Sequence, residues 1–360
     1  MVNVIADGPR NGRGAISNSS GRFERHKKFI VDDGWGSYLD YQEAPLRTTV
    51  TDESPKTVIT QNQSPDLPFN RSLNPYRGCE HSCIYCFARP THAYQGMSPG
   101  LDFESKLFAK PNAAAILKKE LKKPGYMPET LVIGTNTDPY QPIERSRHIT
   151  RDVLKVLSTF NHPTAIITKS QLILHDLGVL ASMAERDLIS VGISLTTLDR
   201  HLSRIMEPRA SAPERRLQTV RKLAEVNIPV TVMLAPIIPA INDHEIETII
   251  ATVAKAGAQA VNYILLRLPG EVKALFQEWL TIHYPKRAQK VLSLMANYRE
   301  GKLYSSEWFK RMKGHGPYAD LLEQRFTTAC KRFALGIENT LSPQLRTDLF
   351  RPLVNQLSLF

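Results

Sequence analysis

Three cysteines within eight residues are the most chemically specific feature of this sequence. Cys79, Cys83 and Cys86 stand at C-x3-C-x2-C in the run GCEHSCIYC. A tight loop with that spacing can wrap three corners of an iron-sulfur cubane. Most such clusters take four cysteine thiolates, so a three-cysteine loop leaves one iron open to a substrate or cofactor. The alternative is a tetrahedral zinc site with His81 or Cys330 as fourth ligand. The strand-and-helix alternation that follows the loop favours the cluster. Four cysteines in 360 residues are too few for a disulfide scaffold.

Such chemistry needs a frame, and the hydrophobic pattern supplies one. From about 70 to 268, short apolar runs alternate with amphipathic stretches. RSLNPYRG (71–78), TLVIGT (130–135), TAIIT (164–168), ISVGISL (189–195), VTVMLAP (230–236) and AVNYILLRL (260–268) read as buried parallel strands. Segments 145–159, 172–186, 213–226 and 244–256 read as crossover helices. Strand and helix repeated with right-handed connections close toward a barrel. Six strands are fewer than the eight of a complete one, so the fold class is α/β, a partial (β/α)6 TIM-like barrel over 60–270, with chemistry at the C-terminal strand ends. Residues 1–55, rich in Gly, Ser, Asn and Arg, read as an extended or disordered arm. Helices at 271–281, 286–298 and 318–335 form a C-terminal extension over 271–340, and 341–360 reads as a tail.

The cysteine spacing, with aromatic Tyr85 before the third Cys, resembles the radical S-adenosylmethionine superfamily. More narrowly, SLNPYRGCEHSCIYCFARPTH, GTNTDPYQPIE and MEPR look like its branch related to spore photoproduct lyase, over roughly residues 60 to 270. The resemblance implies a [4Fe-4S] cluster on Cys79, Cys83 and Cys86, with S-adenosyl-L-methionine chelating the open iron. It further implies an electron donor such as flavodoxin or ferredoxin, and reductive cleavage of the sulfonium to a 5'-deoxyadenosyl radical. By the same resemblance Tyr85 contacts the cofactor, and Thr135, Asn136 and Thr137 receive the methionine amino group, with Asp138 as a nearby anion. Lys169, Ser194 and Thr196 occupy comparable strand ends, Ser194 suited to the ribose or carboxylate. Glu207 with Arg209 forms either a carboxylate clamp or a structural salt bridge. Ile237 and Ile238 lie along the adenine. One departure matters: the lyase uses an extra cysteine near its second strand as hydrogen donor, and none stands here between Cys86 and Cys330. Cys330 can replace it catalytically only if the C-terminal helices fold over the barrel mouth; otherwise it is a buried apolar thiol.

Charge and the last five residues speak to partners. The net charge of +11 is concentrated in 1–28, where six Lys/Arg face Asp7 and Glu24, and in 285–313, where eight face Glu300 and Glu307. Such clusters suit a phosphate backbone, or they are solvated basic surface. Gln356, Leu357, Ser358, Leu359 and Phe360 spell QLSLF, closely matching the peptide that docks on the bacterial DNA polymerase sliding clamp, where the Gln sets register and the apolar residues fill a cleft. No run approaches the roughly 18 apolar residues of a membrane span, and the N-terminal residues lack a secretory apolar core. The expectation is a cytoplasmic enzyme without membrane contact, acting in DNA repair or DNA base modification at the clamp. The alternatives are a radical enzyme modifying RNA or a protein, and a non-enzymatic metal-binding clamp adaptor.

Overall fold

Continuous aliphatic and β-branched runs form the centre of the molecule, because strands buried on both faces have no polar side to present. The computed structural model describes residues 4–5, 8–24, 26, 30–31, 34–35, 45–337 and 345–352. Six parallel strands make the main sheet: β1 (Arg71–Leu73), β2 (Leu131–Ile133), β3 (Thr164–Thr168), β4 (Ile189–Ser194), β5 (Val230–Ile237) and β6 (Ala260–Leu265). They lie side by side in chain order, and Thr60–Gln61 adds an antiparallel strand outside β1. The register stacks Ile166 beside Val191 and Val191 beside Val230, so one apolar layer crosses the sheet. This is the expected α/β architecture, with strand limits within a few residues of those read from the sequence.

The helices between strands follow apolar spacing. In chain order the longer ones are α1 (Ala113–Leu121), α2 (Ile149–Thr159), α3 (Leu177–Ala184), α4 (Pro213–Glu225), α5 (Ile246–Lys255), α6 (Val272–His283), α7 (Ala288–Asn297) and α8 (Pro317–Arg332). Helix α2 buries Ile149, Val153, Leu154 and Leu157, a stripe at helical spacing. Asn161, in the left-handed region, ends it and returns the chain to β3. Pro213 opens α4, where its missing N–H has no intrahelical partner to lose.

Two regions differ from expectation. The first strand ends at Leu73; after Asn74 and Pro75 the chain pairs Tyr76–Arg77 with Lys106–Ala109, which also runs parallel to Thr49–Asp52. Pro75 cannot donate to a ladder, so the strand cannot continue through it as a central one. The N-terminal segment read as a free arm is partly built in. Ala15 and Ile16 are buried, and Arg13 donates to the carbonyls of Glu104 at 2.7 Å and Leu46 at 2.6 Å.

Candidate functional site

The cysteine loop follows the short strand Tyr76–Arg77, a few residues beyond the C-terminal end of β1. Gly78 makes the entry turn at φ 70°, where a Cβ would meet Leu107 Cδ2 at 2.8 Å and Phe103 O at 2.9 Å. Two backbone hydrogen bonds fold the loop on itself, Ser82 N–H to Cys79 O at 3.3 Å and Cys86 N–H to Cys83 O at 3.2 Å. Cys79 and Cys83 are buried and Cys86 is half-buried. Burial raises all three thiols and pushes Cys83 up to about 12, so binding a metal here means displacing their protons.

The donor set can be tested against the two metals the sequence allows. A lone tetrahedral ion with metal–sulfur bonds of about 2.3 Å gathers thiolates to roughly 4 Å of one another. Among the described residues no three His, Cys, Asp or Glu side chains converge in that way. A cubane takes each thiolate on a separate iron and has no such requirement. His81, the alternative zinc ligand, turns Nδ1 to 3.3 Å from Asp138 Oδ2. Three thiols in one loop, with His81 turned toward Asp138, are a donor set that suits a cubane with one iron left open.

Four buried or half-buried polar side-chain pairs hold the loop to the surrounding elements. Behind it, the fully buried Arg89 donates to Cys83 O at 2.9 Å and Gly100 O at 3.0 Å and pairs with Glu104, whose carboxylate also accepts from Gly14 N at 3.0 Å and Ala15 N at 2.8 Å. Gly14 packs so close that a Cβ there would sit 1.9 Å from Ser82 O. Toward β2, Asp138 faces His81 and accepts from Thr168 Oγ1 at 2.7 Å and Lys169 N at 2.8 Å. Burial opposes its charge, but His81 and these donors outweigh it and hold the carboxyl at about 2. Glu80 receives Arg209 at 2.8 Å and Thr48 Oγ1 at 2.7 Å, while its N–H donates to Gln141 Oε1 at 2.8 Å.

The fourth pair is the hub. Glu207, just past the short helix Arg200–Met206, accepts from Tyr85 Oη and from Thr196 Oγ1 at 2.8 Å, and pairs with the buried Arg216 of α4. Arg216 also donates to Ser194 O at 3.1 Å. Burial would raise the Glu207 carboxyl; Arg216 and then Lys169 outweigh it and hold it at about 2. The Lys169 ammonium lies 5.8 Å from the Tyr85 ring centroid, and Cys83 and Glu207 keep it charged against its burial.

The structure sets Asp138 against His81, and Lys169, Thr196 and Glu207 against Tyr85; Thr135 and Asn136 meet Asn74, Ser194 O meets Arg216, and several roles are corrected. Arg209 does not pair with Glu207; it grips Glu80. The Thr137 hydroxyl is spent on Tyr76 O at 2.8 Å. Asn136 donates its backbone N–H to Asn74 Oδ1 at 2.9 Å and has no side-chain hydrogen bond among the described residues. Ile237 and Ile238 are buried in the apolar core. Cys330 is fully buried in α8, which packs on α5; its carbonyl accepts from Leu335, next to Gly336, which bridges Ala260 at the N-terminal start of β6. That is the end of the barrel opposite the cysteine loop, so Cys330 neither serves as hydrogen donor nor completes a metal site. Gln356 to Phe360 lie outside the described residues. Sequence reasoning passed over Arg89, Glu104, Gln141, Arg216 and Asn242, which bonds Thr196 O at 2.8 Å and Ile238 N at 2.6 Å. Arg216 carried a signal, a charge on the buried stripe of α4 beside Val220 and Leu223.

A family model described as the radical SAM superfamily matches residues 73–253. Uncharacterized proteins of Mycobacterium bovis and Mycobacterium tuberculosis are 33% identical over 284 residues, covering 77% of this chain and 78% of theirs. An uncharacterized protein of Methanocaldococcus jannaschii is 29% identical over 174 residues, covering 48% of this chain and 62% of its own. Among solved structures, a spore photoproduct lyase complexed with dinucleoside spore photoproduct shares the fold at a TM-score of 0.56 and 16% identity, over 79% of each chain.

Proposed function

Because this chain belongs to the radical SAM superfamily, we propose that Cys79, Cys83 and Cys86 hold a [4Fe-4S] cluster for chemistry on a nucleic-acid substrate, in DNA repair or base modification. When bound, the cluster and S-adenosyl-L-methionine together supply a 5'-deoxyadenosyl radical, after one electron from a donor such as flavodoxin or ferredoxin. The observation that carries the reading is the three-thiol loop at the C-terminal edge of β1, walled by residues from the ends of β2, β3 and β4.

The chain's own residues position and insulate. Arg89 fixes the backbone of Cys83, and Tyr85, held by Glu207, fixes the ring between the second and third cysteines. The uncommitted Asn136 amide and the hydroxyls of Thr135 and Ser194 suit a zwitterionic amino acid moiety. Lys169 places a positive charge beside the thiolates of the loop, which lowers the cost of gathering negative charge there. The buried floor of the site excludes water from reactive intermediates.

The target at DNA rests on two sequence features, the basic segments 1–28 and 285–313 and the terminal QLSLF. In this reading the peptide carries the enzyme to the sliding clamp, and the lesion or base is reached extruded or single-stranded. The test is anaerobic reconstitution with iron and sulfide, followed by assay of 5'-deoxyadenosine with damaged oligonucleotides, and clamp pull-down with and without residues 356–360. Iron binding with cofactor cleavage, and clamp capture that needs the peptide, support it. Zinc in place of iron sinks the radical reading, and peptide-independent or absent capture sinks the clamp reading.

A further inference from the structure

Beyond β6 the chain runs Leu266-Arg267-Leu268 along the sheet edge that carries the cysteine loop. The Arg267 guanidinium lies 5.4 Å from the ring centroid of Phe87, the residue directly after Cys86. Arg267 donates to Met312 Sδ at 3.3 Å, and its Nε is buried without a partner. Arg299 is only 2% exposed and donates to Leu266 O at 2.6 Å, yet its Nε and Nη1 have no partner. Its guanidinium sits 5.0 Å from the Tyr298 ring centroid. Among the described residues neither arginine is within ion-pair distance of a carboxylate. Arg311, the third arginine in this region, is already matched by Asp66 through contacts of 2.6 and 2.5 Å.

A buried guanidinium such as Arg299, and a half-buried one such as Arg267, are costly to keep in a fold without a counter-ion. Burial lowers the Arg267 pKa, opposed by its interaction with the Tyr304 hydroxyl and reinforced by the nearby positive charges of Arg311 and Arg299. The fixed fork of an arginine matches paired oxygens of an oxyanion. Phe87 is 46% exposed, with Arg267 over its ring. Bases stack on such rings without regard to sequence.

We propose that Arg267 and Arg299 form an anion subsite beside the cysteine loop that takes a phosphate of the substrate strand, with the adjacent base stacked on Phe87. The identity of the phosphate's bearer rests on the nucleic-acid reading above; the charge and geometry of the subsite do not. A strand phosphate and a free nucleotide present the same oxygens, and competition separates them.

The test is fluorescence anisotropy of a short labelled single-stranded oligodeoxynucleotide with the full chain, across a salt series, with thymidine 5'-monophosphate as competitor. Arg267→Gln and Arg299→Gln should each weaken strand binding on the order of tenfold and reduce the log–log salt slope by about one. Arg267→Lys should restore the slope but not all the affinity, and Arg221→Gln, on the outer face of α4, should change neither. Arg267 is half-buried, so its variants remain informative if Arg299→Gln fails to fold. If the parent chain binds the strand and both glutamine variants match it in affinity and slope, the subsite is overturned while the nucleic-acid reading stands. If the parent binds no strand but binds the mononucleotide in an Arg267-dependent way, the phosphate subsite stands and the strand reading falls. If it binds neither, both fall.

Discussion

Replacing Arg89 by methionine is the sharpest probe of how the cysteine loop is held. The side chain is fully buried, and the substitution removes its donors to Cys83 O, Pro99 O and Gly100 O and its pairing with Glu104. Removing one partner of a buried pair costs about 3–5 kcal/mol, because the other charge is left uncompensated. The low end applies, since Glu104 keeps the amides of Gly14 and Ala15. Unfolding entropy of roughly 2.1 cal/mol/K per residue over a chain this long gives roughly 0.8 kcal/mol/K, so 3 kcal/mol lowers Tm by about 4 °C for cooperative unfolding. The assay is anaerobic thermal melting of the reconstituted protein, with the rate of iron loss to a chelator measured in parallel. Glu104→Gln in the Arg89→Met background should recover at least about 1 kcal/mol, because the stranded charge is then gone. An Arg89→Met protein melting within about 1 °C of the parent, and keeping iron as long, would refute the brace.

Serine at any one of Cys79, Cys83 or Cys86 should abolish stoichiometric iron binding while Cys330→Ser leaves it unchanged, as read by iron content and visible absorbance. Gly14→Ala should destabilise by about 1–3 kcal/mol, since its Cβ would collide with a backbone carbonyl, whereas Gly178→Ala, with open space in α3, should stabilise by about 0.5–1 kcal/mol in urea titrations. Burial lowers the His162 imidazole to about 4 from 6.5. The unfolded chain therefore takes up that proton first on acidification, and its stabilising contribution is complete above about pH 6.5 and lost progressively toward pH 4, on the order of 3 kcal/mol. Asp138 and Glu207 act lower, their contribution present above about pH 4.5 and lost as pH falls toward 2. His162→Gln should flatten the urea midpoint between pH 7 and 4.5; a parent midpoint that does not move over that range refutes the assignment.

The barrel was legible because its strands are long apolar runs whose burial demands one answer. β3 has the limits read from the sequence, and β4 and β5 differ from theirs by a residue at one end. The cysteine spacing announced itself for a similar reason, since three scarce side chains in one loop admit few explanations. What holds the loop was not legible, because the partners lie far away in sequence. Gly14 and Ala15 reach Glu104 across some ninety positions, and nothing periodic in 1–55 marks them as buried. The MEPRA motif misled through proximity. Glu207 and Arg209 are two residues apart, but both lie past the end of the helix Arg200–Met206, and the side chain that reaches Glu207 comes from α4.

The loop has almost no regular secondary structure, so its shape is set by charges arriving from separate elements: Glu104 before Lys106–Ala109, Asp138 after β2, Arg209 and Glu207 beyond Arg200–Met206. Each anchor is a buried or half-buried polar group, a kind of contact that contributes little net stability but tolerates few alternative arrangements. Apolar packing alone would leave a segment this rich in small and polar residues free to shift by an ångström. In the proposed function, one open metal corner must meet a cofactor and a radical must meet one atom of a substrate, and neither accepts such a shift. Arg267 and Arg299 stand out against this background. Where Arg89, Arg209 and Arg216 each reach a carboxylate of the same chain, these two reach none among the described residues, and the proposed phosphate subsite rests on that contrast.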